Sequence, residues 1–140
     1  MKNIQIAIAG RTPIDFIPDN RDYSYTADDL MKYFGDKGIH NLIVINPDNP
    51  SGNYIPKGDL LRLIKWSAKK GIKIIIDEYF VNFAEEEDSA IIKQSILSEK
   101  PHLFVMKSIS KSYGVTGLRL GVLASGNAET IGKMKKDVTI

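Results

Sequence analysis

Ile72-Lys73-Ile74-Ile75-Ile76-Asp77-Glu78 is a short apolar run that stops abruptly on two carboxylates. A continuous run of this length is the form taken by a strand buried in a parallel sheet. Before it, Lys57 to Lys70 carries Leu60, Leu61, Ile64 and Ala68 at helical spacing and meets Gly71, so an amphipathic helix with a glycine stop leads into the strand. Leu42-Ile43-Val44-Ile45 upstream and Leu103-Phe104-Val105-Met106 downstream have the same character, and a further strand is expected over Leu118 to Ala124. Alternation of strands with helices at this spacing argues an α/β domain: a mostly parallel sheet with crossover helices in a three-layer α/β/α arrangement.

The remaining elements follow from local signals. Thr26 is an N-cap for a helix through Phe34, with Asp28 and Asp29 in its first turn, Leu30, Tyr33 and Phe34 at helical spacing, and Gly35 and Gly38 beyond its end. The acidic run Glu85-Glu86-Glu87-Asp88 is read as the solvated start of a helix from about Ser89 to Ser98, since carboxylates favour that end of the helix dipole. Ile4 to Ala9 reads as a strand, Ile14 to Ile17 as a second, weaker extended piece, and Asn127 onward as a last helix.

Composition limits the function classes. The 140 residues are 43% hydrophobic and 26% charged, which is ordinary for a globular domain. The net charge of +2 is scattered rather than gathered in a basic stripe, so nucleic acid is not an expected partner. With no cysteine, disulfides, thiolate catalysis and cysteine zinc sites are excluded. His40 and His102 stand far apart, in no metal-ligand spacing, and are read as element-boundary residues; no metal is expected. No apolar run is long enough for a membrane span and no secretory signal is recognised at Met1 to Gly10, so the expected location is the cytoplasm.

The chemistry lies beyond the carboxyl ends of the strands, where ligands bind in open parallel sheets. One strand runs into Asn46-Pro47-Asp48-Asn49-Pro50-Ser51-Gly52, a loop whose prolines and glycine forbid helix or strand. The next closes on Asp77. The third runs into Ser108-Ile109-Ser110-Lys111-Ser112-Tyr113-Gly114-Val115-Thr116-Gly117-Leu118-Arg119-Leu120-Gly121, which combines one lysine, several hydroxyls and an arginine. An amide, a carboxylate and an amine along one sheet edge suit an aromatic cofactor bearing a carbonyl, a ring nitrogen and a phosphate. A buried lysine can form a Schiff base, a carboxylate keeps a pyridine nitrogen protonated, and hydroxyls with an arginine bind a phosphate dianion. Each string also has a plainer reading: a turn for Asn49, a cap for Asp77, and a solvated lysine in a strand connection for Lys111.

The strings INPDNPSG, IIIDEYF and SISKSYGVTGLRLG resemble three motifs of the class I/II aminotransferases, fold type I enzymes dependent on pyridoxal 5'-phosphate. The resemblance spans about residues 12 to 126 and is closest to the branch of histidinol-phosphate aminotransferase and threonine-phosphate decarboxylase. It implies that Asn49 binds the ring hydroxyl, Asp77 the ring nitrogen, and Ser108, Ser110 and Arg119 the phosphate, with Lys111 as the Schiff-base lysine. It further implies amino acid and 2-oxo acid substrates, and a crossover-rich sheet missing strands at its edge would expose unpaired backbone and apolar surface, so a homodimer or larger self-association is expected. Residues 1–140 then correspond to part of the cofactor-binding large domain, with a segment before it and a small domain after it expected outside this chain.

One position departs from the pattern. Many family members carry a tyrosine three residues after the aspartate; here that residue is Phe80, with Tyr79 one place earlier. On an extended continuation neighbouring side chains point to opposite faces, so Tyr79 is not expected to substitute. Phenylalanine at this place resembles the decarboxylase pattern, which makes decarboxylation of a phospho-amino acid the alternative chemistry. An alternative of another class is a catalytically silent fragment that self-associates or binds a partner. A nucleotide-binding domain is disfavoured, because neither G-x-G-x-x-G after a first strand nor G-x-x-x-x-G-K-[ST] occurs.

Overall fold

In the computed structural model, the residues described are 13–84, 86–109, 117 and 120–137. Their elements run α1 (Ala27–Phe34), β1 (Asn41–Ile45), α2 (Lys57–Lys69), β2 (Lys73–Asp77), a 3₁₀ turn (Val81–Phe83), α3 (Gln94–Leu97), β3 (Leu103–Ser108), β4 (Gly121–Ser125) and α4 (Ala128–Asp137). The strands form one sheet in the order β1-β2-β3-β4. The first three strands are parallel and β4 is antiparallel to β3, so the domain is α/β with a mixed, mostly parallel sheet. The expected strand over Ile4 to Ala9 lies outside the described residues.

Strands β2 and β3 are each paired on both sides, and Asp77 at the end of β2 is level with Ile45 of β1 and Met106 of β3. Side chains alternate between faces along a strand. Leu42, Val44, Ile74, Ile76, Leu103 and Val105 therefore share one face, where they are buried with Leu60, Leu63 and Ile64 of α2 and Ala27, Leu30 and Phe34 of α1. Each such valine, leucine, isoleucine or phenylalanine side chain contributes on the order of 1.5–3 kcal/mol by leaving water. The opposite face carries Ile43, Ile45, Ile75, Asp77 and Met106, of which Ile43, Ile45 and Met106 are exposed. Among the described residues the core helices α1 and α2 cover the first face, and α4 buries no side chain.

Helix α1 begins as expected. Asp29 N–H donates to Thr26 Oγ1 at 3.3 Å while Thr26 N–H donates to Asp29 Oδ2 at 2.8 Å, a reciprocal capping box. In α2 the inner face differs from the reading: Leu63 and Ser67 are buried with Leu60 and Ile64, Leu61 is half-buried and Ala68 is exposed. Ser67 is tolerated inside because its hydroxyl donates to the Ile64 carbonyl at 2.8 Å.

Three element boundaries shift for identifiable reasons. The extended piece at Ile14 to Ile17 joins no sheet; Ile14 and Ile17 are exposed, and Phe16 alone packs inward, edge-on to Tyr25 and Tyr33. The helix expected over Ser89 to Ser98 is only Gln94–Leu97, because residues 89–93 are drawn out past the end of β2 and Ile91 N–H bonds the Glu78 carboxylate. The acidic run does serve a helix start, but that of α2: Glu86 Oε2 accepts Lys57 N–H at 3.0 Å. Strand β4 runs Gly121–Ser125, later than Leu118 to Ala124; residues 118 and 119 lie outside the described residues. His40 and His102 immediately precede β1 and β3, as boundary residues should.

Candidate active site

Three neighbouring strand ends meet at one sheet edge. Strand β1 gives way at Asn46, whose N–H donates to the Asp77 carbonyl at 2.9 Å. Asn46 is buried, and its amide bonds both polar groups of the Ile55 backbone. The loop is tied again by Asp48, which receives Ser51 Oγ–H on its carboxylate and Gly52 N–H on its carbonyl, and by Asn53, which exchanges two hydrogen bonds with the Tyr25 backbone. Gly52 has φ +76°, a backbone conformation that favours glycine. Asn49 stands exposed at the turn of this braced loop, and the peptides before Pro47 and Pro50 are cis.

Asp77 closes β2 on the face shared with Ile45 and Met106. It is half-buried, and Tyr79 N–H donates to its Oδ1 at 3.0 Å. Burial pushes the Asp77 carboxyl above its ordinary value, against the smaller opposing effect of that N–H. A carboxylate at an apolar floor formed by isoleucine and methionine fits a flat heteroaromatic ring carrying a positive nitrogen.

The chain does not continue as a strand after Asp77. Residues 79–80 form a turn and Val81–Phe83 a 3₁₀ turn, which removes the alternation expected for Tyr79 and Phe80. The Tyr79 ring packs edge-on against Phe80 with centroids 4.5 Å apart. Phe80, rather than Tyr79, lines an open groove of about 540 Å³ together with Asn49, Tyr54, Phe83 and Glu86. Tyr54 O–H donates to Glu86 Oε2 at 2.5 Å; burial and this carboxylate raise the Tyr54 pKa well above its ordinary value. Another groove, of about 590 Å³ between Phe16 and Tyr33, is lined by none of the strand-end residues.

Ser108 closes β3 opposite Gly121, and the ladder continues with Ile109 N–H to the Leu120 carbonyl at 3.0 Å. The lysine-bearing string is thus a connection whose two ends are clamped side by side. Ser110, Lys111 and Arg119 lie outside the described residues. Of the six predicted site residues, Asn49, Asp77 and Ser108 are described, each in or at the start of the chain leaving one of three adjacent strands. Asn46 and Glu78 were missed by sequence reasoning; the only signal was that each is the first polar residue after, or next to, the end of a buried run.

A family model described as "Aminotransferase class I and II" matches residues 3–139. The chain belongs to this family. Among relatives in the same family, a histidinol-phosphate aminotransferase from Ruminiclostridium cellulolyticum is 31% identical over 115 residues, covering 81% of this chain and 30% of its own length. An L-serine phosphate decarboxylase from Sulfurospirillum multivorans is 34% identical over 102 residues, covering 71% of this chain and 26% of its own. In fold, the chain is similar to the crystal structure of the histidinol-phosphate aminotransferase from Clostridium acetobutylicum, with TM-score 0.71 and 25% identity over 86% of this chain and 35% of that one. The chain spans about a third of the length of these family members. No helix among the described residues is long and apolar enough to cross a membrane.

Proposed function

We propose that this chain is the central part of the large, cofactor-binding domain of a pyridoxal 5'-phosphate-dependent aminotransferase. The observation that carries the reading is the alignment of three adjacent strand ends at one edge, with Asn49 in the loop after β1 and Asp77 and Ser108 closing β2 and β3. When bound, the cofactor supplies an electron sink for bonds at the substrate α-carbon. Asp77 would hold the proton on the ring nitrogen, Asn49 would bond the ring hydroxyl, and Ser108, Ser110 and Arg119 would bind the phosphate. Lys111 would hold the group covalently through Nζ and move a proton at the substrate α-carbon. Amino acids and 2-oxo acids are the substrates in this reading, and a cytoplasmic homodimer is its form.

A second reading, decarboxylation of a phospho-amino acid, is favoured by one observation: Phe80 lines the groove beside Asn49 and brings no hydroxyl there. The test is spectroscopic first. Purified chain mixed with pyridoxal 5'-phosphate is expected to show a visible band that borohydride abolishes and that Lys111→Ala lacks. Absence of the band in the unmodified chain would overturn the reading in favour of a silent fragment. Release of carbon dioxide from phosphoserine or phosphothreonine, without amino transfer to a 2-oxo acid, would select the decarboxylase.

A further inference from the structure

Glu78 is the one ionisable side chain that is fully buried among the described residues, at 1% exposure. Its Oε1 accepts the Ile91 N–H, and Oε2 has no hydrogen-bond partner. Burial raises its pKa, outweighing the Ile91 N–H and, to a lesser degree, the Lys107 ammonium, the Ile92 N–H and the Lys57 ammonium, all of which favour the charged form. A buried carboxylate without an ion pair costs free energy that an apolar residue of the same size would not. Its place in the chain indicates what it contributes.

Both backbone peptides of Glu78 are engaged. Its N–H donates to the Met106 carbonyl at 2.8 Å, which fastens the end of β2 to β3. Its carbonyl accepts Val81 N–H at 3.2 Å, and the N–H of that same peptide belongs to Tyr79 and donates to Asp77 Oδ1 at 3.0 Å. The plane of this peptide is set by rotation about the Glu78 backbone. With its N–H held by Met106 and its side chain by Ile91, the Cα of Glu78 is fixed at the point from which this peptide departs; the Val81 N–H on the Glu78 carbonyl then sets the peptide plane, and the donor meets Asp77 on the other face.

We propose that Glu78 is a positioning residue for Asp77: its buried carboxylate, anchored on Ile91 N–H, fixes the peptide whose N–H orients the Asp77 side chain. The consequence for the cofactor rests on the role proposed for Asp77. The positioning itself is read in the cofactor-free protein, so either can fail without the other.

Amide hydrogen exchange measured by NMR on the cofactor-free chain tests it with two variants. Glu78→Gln keeps an acceptor of the same reach, whereas Glu78→Asp is shorter by one methylene. In Glu78→Asp the Ile91 and Tyr79 amides are expected to exchange about tenfold faster, with the core amides of Ile76 and Val105 unchanged. In Glu78→Gln all four are expected to match the unmodified chain. Faster exchange at Ile91 with Tyr79 unaffected would reduce Glu78 to a loop anchor and overturn the proposal. Loss of Tyr79 protection in Glu78→Gln would also overturn it, and this variant decides the matter if Glu78→Asp does not fold. In cofactor titrations, Glu78→Asp is expected to raise the dissociation constant about tenfold while Glu78→Gln leaves it unchanged.

Discussion

Asn46 and Ile55 are joined by two hydrogen bonds in the protein interior: Asn46 Nδ2 donates to the Ile55 carbonyl at 2.9 Å, and Ile55 N–H donates to Asn46 Oδ1 at 2.8 Å. The pair closes the loop that carries Asn49, so a side chain at the end of β1 sets the position of an exposed residue three places later. Asn46→Ala leaves the Ile55 N–H and carbonyl without partners in a buried setting. The expected loss is about 2–4 kcal/mol of unfolding free energy, measured by urea denaturation. A loss below about 0.5 kcal/mol would show that water satisfies these groups and that the loop does not depend on Asn46.

Burial holds both Asp77 and Glu78 above their ordinary carboxyl values of 3.8 and 4.5. A carboxyl with a raised folded value binds its proton more tightly when folded. Its contribution to stability is therefore complete below the ordinary value and is lost as pH rises through the raised one. The lowered values of Asp22, Asp29, Glu86 and Asp88 act in the opposite sense, but these groups are exposed and screened. Glu78→Gln removes one raised carboxyl. Thermal unfolding from about pH 4 to pH 7 is expected to move progressively in favour of the variant, and a pH-independent difference would contradict the assignment.

The sheet and its site were legible to different depths. Strands over 42–45, 72–76 and 103–106 could be read because short apolar runs bounded by turn residues and separated by helices pack as a buried parallel ladder. Thr26 announced α1 through a cap that acts locally. The short α3 was not legible, because what unwinds residues 89–93 is a hydrogen bond to Glu78, thirteen positions before Ile91. Pairing of β4 with β3 in the antiparallel sense is also a tertiary fact, absent from the pattern of either strand. The candidate site followed the same division: the places of Asn49, Asp77 and Ser108 at strand ends could be read because strand ends are recognisable, while Asn46 and Glu78 act through partners that only folding supplies.

Ile43 lies exposed at 45% on the sheet face opposite α1 and α2, level with half-buried Ile75 of β2 and two residues before the row that holds Asp77. In the self-associating form proposed above, this apolar pair on adjacent strands is the contact to test. Ile43→Lys is expected to lower the average mass in sedimentation equilibrium while changing unfolding free energy by no more than about 0.5 kcal/mol. An unchanged mass would place the association surface elsewhere.

Two glycines separate backbone crowding from backbone freedom. A Cβ at Gly126 would stand 2.2 Å from the Leu97 carbonyl oxygen and 3.0 Å from its carbon, both backbone atoms that cannot rotate away. Gly126→Ala must push the turn after β4 off the end of α3, and strain the neighbouring Ser125 Oγ–H bond to the Leu103 carbonyl at 2.7 Å. The expected cost is about 1–3 kcal/mol. At Gly58, in the first turn of α2, an added methyl would meet nothing within 4 Å, and the backbone has no positive φ. Gly58→Ala is therefore expected to stabilise by about 0.4–1 kcal/mol, through the entropy of the unfolded chain. Urea denaturation of the two variants side by side checks both signs. Equal effects would mean that the Gly126 turn yields freely, and that the contact of β4 with α3 does not fix the end of the sheet opposite Ser108.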